Sequence, residues 1–400
     1  MTVSLPRFHR RPASRGTAPV LDKPTDQTPG FMRILVFLHD AFGGRGGIAK
    51  FNRDLLSALA SHPATDEVVC LPRVIVEDVG PLPAKLDFRR EAARGNAAYL
   101  AAMARVLASP GWYDLVICGH LRLMRLMRPL EWRRAAPFGL ILHGVDAWEP
   151  FGGSQAARAL ARLDWFLAVS DFTKRRFTGW SGVPPEKGIV VPNAVDLRQF
   201  TPGPKRPDLV QRYDLAGKSV LMGMGRLDAR ERYKGFDEVI EMMAAVRDAR
   251  PDLAYLVCGD GSDRPRLEAK AKQLGIADAV IFTGYVPEAE KVDHYRLADC
   301  FLLAGWGEGF GIVLIEAMGC GIPAIASNLD ASSEAVGDGR FGLVVDPQNR
   351  EQLFAAVEKA LARPKTVPAG LDTFSDAAFE RRIHQLILDP LAVRRGGSAA

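Results

Sequence analysis

Cysteine is scarce in this 400-residue chain: Cys70, Cys118, Cys258, Cys300 and Cys320 lie far apart, with no Cys-x-x-Cys pair among them. That spacing argues against a disulfide framework or a zinc knuckle and fits a reducing cytoplasm. Long apolar runs are absent too. No stretch approaches the roughly 18 apolar residues that a membrane span requires. The first thirty residues, "MTVSLPRFHRRPASRGTAPVLDKPTDQTPG", lack the apolar core of a signal peptide and read as a disordered basic tail.

Several catalytic signatures are missing as well. No Asp-x-Asp occurs, and no second histidine stands at metal-ligand spacing from His143, so no essential metal is expected. There is no Gly-x-Ser-x-Gly elbow. "GMGRLD" carries Asp228 where a dinucleotide fingerprint needs its third glycine, and "LAGKS" is preceded by Arg212 where a P-loop needs glycine.

What remains is a soluble globular composition, 48% apolar and 25% charged. The length suggests two domains of about 150 to 200 residues each. The net charge of +5 is uneven: residues 1–200 hold 27 Lys and Arg against 18 Asp and Glu, whereas residues 201–400 hold 25 against 29. A basic first half suits an anionic lipid surface or a phosphate-bearing acceptor better than nucleic acid, for which no motif appears. A solvated arginine-rich surface is the competing reading.

Short apolar runs ("RILVFL", "EVVCLPRVI", "DLVICG", "FGLILHG", "WFLAVS", "GIVVPN") alternate with helical patterns near 48–60 and 93–108. The pattern breaks in "QFTPGPKRPDLVQRYDLAGK" and restarts with "SVLMGMG", "AYLVCGD", "AVIFTG", "CFLLAG" and "PAIAS". Helices are predicted near 235–249, 264–274, 312–318, 350–362 and 374–388. Such alternation implies an α/β chain with two Rossmann-like, doubly wound parallel sheets. Ligands of such sheets bind at the carboxyl ends of the strands, here in a cleft between the halves. The expected divisions are a tail over 1–30, an acceptor-binding domain over 31–205 and a nucleotide-sugar domain over 206–373. A helix over 374–390 packs back across the domains, followed by a flexible end over 391–400.

Chemistry concentrates in four places. In "EGFGIVLIE", Glu308 stands in the loop after a strand and Glu316 on the following helix, seven residues between them. Two such acids suit hydroxyl groups at two points of one elongated ligand; a capping acid plus an ordinary helix glutamate is the alternative. In "GRLDARERYKGFDEV", Arg226 and Lys234 form a cationic pair fit for a diphosphate. "DAFGGRGGIAKF" sets Gly44, Gly46 and Gly47 before a helix, as a phosphate- or sugar-approach loop or a flexible turn. "LILHGVDAW" puts His143 and Asp146 at another strand end, where a lone histidine is as readily structural as catalytic.

Together with "VSDFTK" and "VPNAVDLRQF", these stretches resemble the retaining glycosyltransferases of family 4, from about residue 32 to 390. The resemblance implies a GT-B fold and a nucleotide-diphosphate sugar as co-substrate, of the GDP-mannose or UDP-glucose type. It implies a glycan or lipid-linked acceptor in exopolysaccharide or lipopolysaccharide assembly. Carried over, Glu308 holds the donor sugar, Glu316 the ribose diol, and Arg226 and Lys234 the leaving diphosphate. The amides of Gly309, Phe310 and Gly311 assist, His143 sits near the reacting carbon, and Gly44, Gly46 and Gly47 line the diphosphate and acceptor side. "GDGSDRPRLE" and "TGYVP" resemble base-side loops, naming Gly259, Asp260, Tyr285 and Val286. One departure stands out: "NLDASSEAV" keeps Glu334 but lacks the paired glycines usual in that turn.

"LRLMRLMRPLEWRR" and "AYLAAMARVL" are candidate contacts with an anionic membrane, or else core helices with basic edges. A nucleotide-sugar 2-epimerase on the same scaffold and a non-catalytic sugar-nucleotide-binding module are the alternative functions.

Overall fold

The computed structural model describes residues 31–109, 111–127 and 136–396. The chain forms two compact units, one holding residues up to Val191 and again from Ala377, the other Pro192–Asp376. The tail over 1–30 lies outside the described residues.

The first unit carries β1 (Met32–Leu38), α1 (Gly46–Ser61), β2 (Thr65–Pro72), β3 (Leu86–Phe88), α2 (Asn96–Ala108), β4 (Leu115–Cys118), β5 (Phe138–Leu142), α3 (Gly153–Leu160), β6 (Trp165–Ala168), α4 (Asp171–Ser181) and β7 (Gly188–Val190). Its strands are parallel, in the order β3-β2-β1-β4-β5-β6-β7. Strands covered by helices on both faces read as unbroken apolar runs, which is why "RILVFL" was legible as the central β1. Val36 pairs with Cys70 on one side and Ile117 on the other.

The second unit repeats the plan with α5 (Pro207–Arg212), β8 (Ser219–Met224), α6 (Phe236–Val246), β9 (Leu253–Cys258), α7 (Arg264–Gln273), β10 (Val280–Gly284), α8 (Lys291–Leu297), β11 (Cys300–Leu303), α9 (Ile312–Gly319), β12 (Ala324–Ser327), α10 (Ser332–Ala335), β13 (Leu343–Val345) and α11 (Arg350–Leu361). Its parallel order is β10-β9-β8-β11-β12-β13. Each order reverses direction once, between β1 and β4 and between β8 and β11. Loops leaving those neighbouring strands diverge to opposite sides and open a crevice at the strand ends.

Two boundaries differ from expectation. The division expected after 205 falls after Val191, because Ala194, Val195, Phe200 and Leu209 are all buried in the second unit. There the Val195 N–H donates to the Phe374 carbonyl at 2.9 Å. At the other end, α12 (Asp376–Ile383) passes through a π turn at His384–Leu388 into α13 (Asp389–Gly396). Helix thus replaces the flexible end expected from 391, and Leu391 is buried. This segment packs on α1: Phe379 meets Phe51 edge-on at 5.3 Å, and His384 Nε2 lies 2.8 Å from the Ala58 carbonyl.

Among the described residues no helix is long and apolar enough to cross a membrane. Leu121, Leu123, Met124 and Met127 of "LRLMRLM" are buried in the core of the first unit, as are Tyr99, Met103 and Val106 of α2. Those apolar side chains are not available to a lipid surface; residues 128–134 of the candidate segment lie outside the described residues.

Candidate active site

The second unit gathers most of the expected residues at its β8/β11 crevice. The loop after β8 ends at Gly235, whose φ is +81° and where an added Cβ would lie 2.0 Å from the Ala304 carbonyl oxygen. Only glycine permits that approach, and it sets Lys234 against the end of β11. Lys234 Nζ stands 2.8 Å from Glu308 Oε1, with both side chains less than a fifth exposed. Burial alone pulls the ammonium pKa down; the Glu308 and Glu231 carboxylates outweigh it and hold Lys234 above the ordinary lysine value. Arg226 is exposed, and its guanidinium pairs with Glu231. The other Glu231 oxygen is buried without a hydrogen bond, 4.0 Å from Lys234 Nζ. The two cations therefore share an acid, Glu231, that sequence reading passed over.

Glu308 is braced from behind. Its backbone N–H donates to Asp330 Oδ2 at 2.8 Å, while Asp330 Oδ1 accepts from the Ser332 N–H at 2.9 Å and the Ser332 hydroxyl at 2.6 Å. Asp330 lies in the turn that lacks the paired glycines, so a carboxylate occupies part of that loop. Burial raises its pKa to about 6, with the three hydrogen bonds drawing it partway back.

Glu316 faces away from Glu308, into the interior. It is 1% exposed, with Oε1 2.8 Å from Lys291 Nζ and Oε2 accepting from the Tyr295 hydroxyl at 2.6 Å. Lys291 and Tyr295 on α8 carried no motif and were not anticipated. A diol reaching Glu316 has to share or displace those bonds. Gly311, at φ +89°, turns the chain into α9, which starts without a side-chain cap. Phe310 packs on Phe374, leaving its backbone rather than its ring to serve a ligand. Gly259 bridges Gly284 between the loops after β9 and β10, and Tyr285 beside it is exposed. Asp260 Oδ1 accepts from the Gly261 N–H at 2.8 Å. Val286 is half-buried.

In the first unit, Gly44, Gly46 and Gly47 lie where β1 hands over to α1, which starts at Gly46 without a side-chain cap. His143 follows β5, and its Nε2 donates to the Gly119 carbonyl at 2.9 Å, which leaves Nδ1 as the acceptor. Burial lowers its pKa to about 4, so the ring is neutral at pH 7. The His120 ring, after β4, lies tilted beside it with centroids 6.1 Å apart, and burial lowers that ring's pKa to about 3. His120 Nε2 is 3.9 Å from Asp146 Oδ2, a buried oxygen with no hydrogen-bond partner. Burial raises the Asp146 carboxyl to about 7. Among the described residues no group of three or more His, Cys, Asp or Glu is arranged to hold a metal ion.

Residues 214–369 match the family described as glycosyl transferases group 1, and residues 45–199 match glycosyltransferase family 4. The Mycobacterium tuberculosis GDP-mannose-dependent alpha-(1-6)-phosphatidylinositol monomannoside mannosyltransferase is 34% identical over 359 residues, covering 84% of this chain and 91% of that protein. The chain belongs to glycosyltransferase family 4. For the Mycolicibacterium smegmatis glycosyltransferase of the same name the identity is 34% over 226 residues; the match spans 54% of this chain and 58% of that one. A solved structure of Anabaena HepE in complex with UDP has the same fold as this glycosyltransferase, with a TM-score of 0.70 at 20% identity over 90% of this chain and 100% of that one. The two parallel sheets are those of the GT-B class.

Proposed function

We propose that this glycosyltransferase moves mannose, with retention, from GDP-mannose to a hydroxyl of a glycan or lipid-linked acceptor in cell-surface glycan assembly, without an essential metal. The observation that carries the reading is the Lys234–Glu308 contact at the crevice of the second sheet, with Arg226 on the same loop. The names of the relatives support the donor and a lipid-borne acceptor.

Breaking the bond between the sugar's anomeric carbon and the diphosphate leaves positive charge on the sugar and negative charge on the leaving group. Lys234, held against Glu308, is a fixed cation for the latter whose field is in place before charge develops, and the exposed Arg226 on the same loop adds a second. A bound diphosphate competes with Glu308 and Glu231 for these cations. The freed Glu308 carboxylate then accepts hydrogen bonds from sugar hydroxyls, while Asp330 keeps its backbone in place. The acceptor oxygen bonds to the anomeric carbon on the face the diphosphate leaves. The acceptor's proton passes to a diphosphate oxygen, and GDP departs. His143, neutral with its proton on Nε2, offers Nδ1 to a hydroxyl and has no proton to give at pH 7.

A thermal-shift panel of GDP, UDP, ADP, GDP-mannose and UDP-glucose, with and without EDTA, tests the donor. Saturation at about 100 times Kd stabilises by about 2.7 kcal/mol, and the expectation is a shift with GDP and GDP-mannose that EDTA leaves unchanged. A shift confined to the uridine nucleotides moves the donor to a UDP-hexose. Turnover of the donor to its 2-epimer without acceptor would make the protein an epimerase.

A further inference from the structure

A row of aromatic rings crosses the first unit and ends at the strand-end histidines. Phe379 of α12 meets Phe51 of α1 at 5.3 Å and 89°, and Phe51 meets His143 at 5.3 Å and 82°. His143 in turn lies 6.1 Å from His120, the planes tilted by 42°. Phe51 is 0% exposed and Phe379 2% exposed, so neither ring has solvent to swing into.

Polar ties hold α12 in place on α1. The Ser61 hydroxyl donates to the Glu380 carboxylate, His384 Nε2 lies 2.8 Å from the Ala58 carbonyl, and His62 Nε2 lies 3.1 Å from Asp389 Oδ1. These contacts cluster at the carboxyl end of α1, whereas Phe51 stands near its start, just past the glycine-rich turn. Phe379 carries the placement of α12 to that end.

The hydrogen bond from His143 Nε2 to the Gly119 carbonyl at 2.9 Å holds one atom of the ring. It leaves the ring able to tilt about that bond, because the torsion joining an imidazole to its Cβ has a broad well. Packing limits the tilt: rings at this spacing favour the edge-on arrangement over a face-to-face one. The direction of Nδ1 therefore follows the plane of Phe51, and that plane follows Phe379.

We propose that Phe379 is a positioning residue for transfer, which acts through Phe51 to fix the plane of the His143 ring and aim Nδ1 as a hydrogen-bond acceptor. The proposal rests on the reading that His143 takes part in the reaction, and adds what holds it there. A leucine at 379 keeps much of the volume and removes the ring against which Phe51 packs. A ring that only filled the core would change stability and leave His143 as it was.

The test compares the full-length parent with Phe379→Leu, the more adaptable Phe379→Met, and Phe177→Leu. The last is a control at another fully buried ring of the same unit, packed on Phe166 and Trp180. Nitrogen-15 spectra of the histidine rings at pH 7 read the His143 tautomer. The parent and Phe177→Leu are expected to hold the proton on Nε2, and both Phe379 variants to give a mixed or exchange-broadened His143 signal. A second arm measures GDP release from GDP-mannose with water as the acceptor. Phe379→Leu is expected to lower kcat about fivefold to tenfold while KM changes less than about twofold. In a His143→Gln background the same substitution should cost less than about twofold, since the ring it positions is gone. A parental His143 signal in both Phe379 variants overturns the proposal, as does an equal loss of kcat with and without His143. His143→Gln slowed beside a Phe379→Leu of parental kcat overturns the proposal alone. His143→Gln releasing GDP at the parental rate overturns the reading of His143 and the proposal together.

Discussion

Lys234 Nζ lies 2.8 Å from Glu308 Oε1, joining the loop that leaves β8 to the loop that leaves β11. The two strands are neighbours in the sheet but far apart in sequence, so the pair closes the crevice at the point where strand order reverses. Removing Glu308 leaves Lys234 only the more distant Glu231, at 4.0 Å, and removing Lys234 leaves Glu308 without its cation; in the proposed function a sugar diphosphate would satisfy both. Glu308→Ala is expected to slow transfer by about two orders of magnitude or more with the fold intact. Lys234→Met should do the same and, on the proposed role of the ammonium at the leaving diphosphate, also weaken GDP binding. Steady-state kinetics with GDP-mannose decide it; Glu308→Ala activity within about threefold of the parent rejects the assignment.

Glu316 makes a contrasting prediction. Its carboxylate is enclosed between Lys291 and Tyr295, so Glu316→Ala leaves the Lys291 ammonium only the exposed Glu288, 3.5 Å away, and the Tyr295 hydroxyl without its acceptor, at a cost of about 3 kcal/mol. A Glu316→Gln/Lys291→Met double variant removes both charges and should recover most of that loss. If Glu316 also holds the donor's ribose, the double variant will be stable yet bind GDP at least about tenfold more weakly. Urea denaturation and GDP titration on the same protein separate the two roles. Normal GDP affinity in the stable double variant would reduce Glu316 to a structural acid.

Much of this was legible in the chain. Central strands such as β1 and β9 are buried on both faces, so their apolar runs marked them, and α6, α7, α9 and α11 appear within a few residues of expectation. The short edge strands β3 and β13 were missed, β3 because Asp87 interrupts its apolar run, whereas the equally short edge strand β7 was read in "GIVVPN". Lys234, Glu308 and Arg226 could be singled out because each stands in a short loop after a strand, and the structure brings Lys234 and Glu308 together. Glu231, Asp330, Lys291 and Tyr295 were not, because their importance arises from partners brought together across the sheet. Asp330 had a trace in the sequence: an acid in a turn expected to carry paired glycines.

Asp330 is expected to position Glu308 without touching ligand. Asp330→Ala removes the acceptor for the Glu308 N–H and both Ser332 bonds, and should lower kcat about tenfold or more while changing KM for donor much less. Asp330→Asn keeps an oxygen for the backbone N–H and should retain more activity than alanine. Because burial raises its pKa to about 6, Asp330 contributes stability that is fully present below the ordinary carboxylate pKa and lost as pH rises through about 6. Asp330→Asn should therefore flatten the stability curve between about pH 4 and pH 6, read by urea denaturation. An unchanged curve with unchanged kcat would remove the positioning role.

His143 has the opposite sign. Burial holds its pKa at about 4, so an unfolded chain takes up a proton near pH 6.5 that the native ring refuses. The stability it contributes is present above about pH 6.5 and is lost as pH falls through about 4, by at most about 1.4 kcal/mol per pH unit. Asp146, raised to about 7, favours the native state toward acid pH, so the two partly cancel in the parent protein. The His143 contribution thus has to be read from a difference: His143→Gln should lose less stability on acidification from about pH 6.5 to pH 4 than the parent does. Nitrogen-15 spectra of the histidine rings give the direct check. At pH 6 the His143 ring should be neutral with its proton on Nε2, as the 2.9 Å bond to the Gly119 carbonyl requires. A ring that titrates near pH 6.5, or one protonated at Nδ1, would show that this side chain is not aimed as the hydrogen-bond acceptor proposed for it.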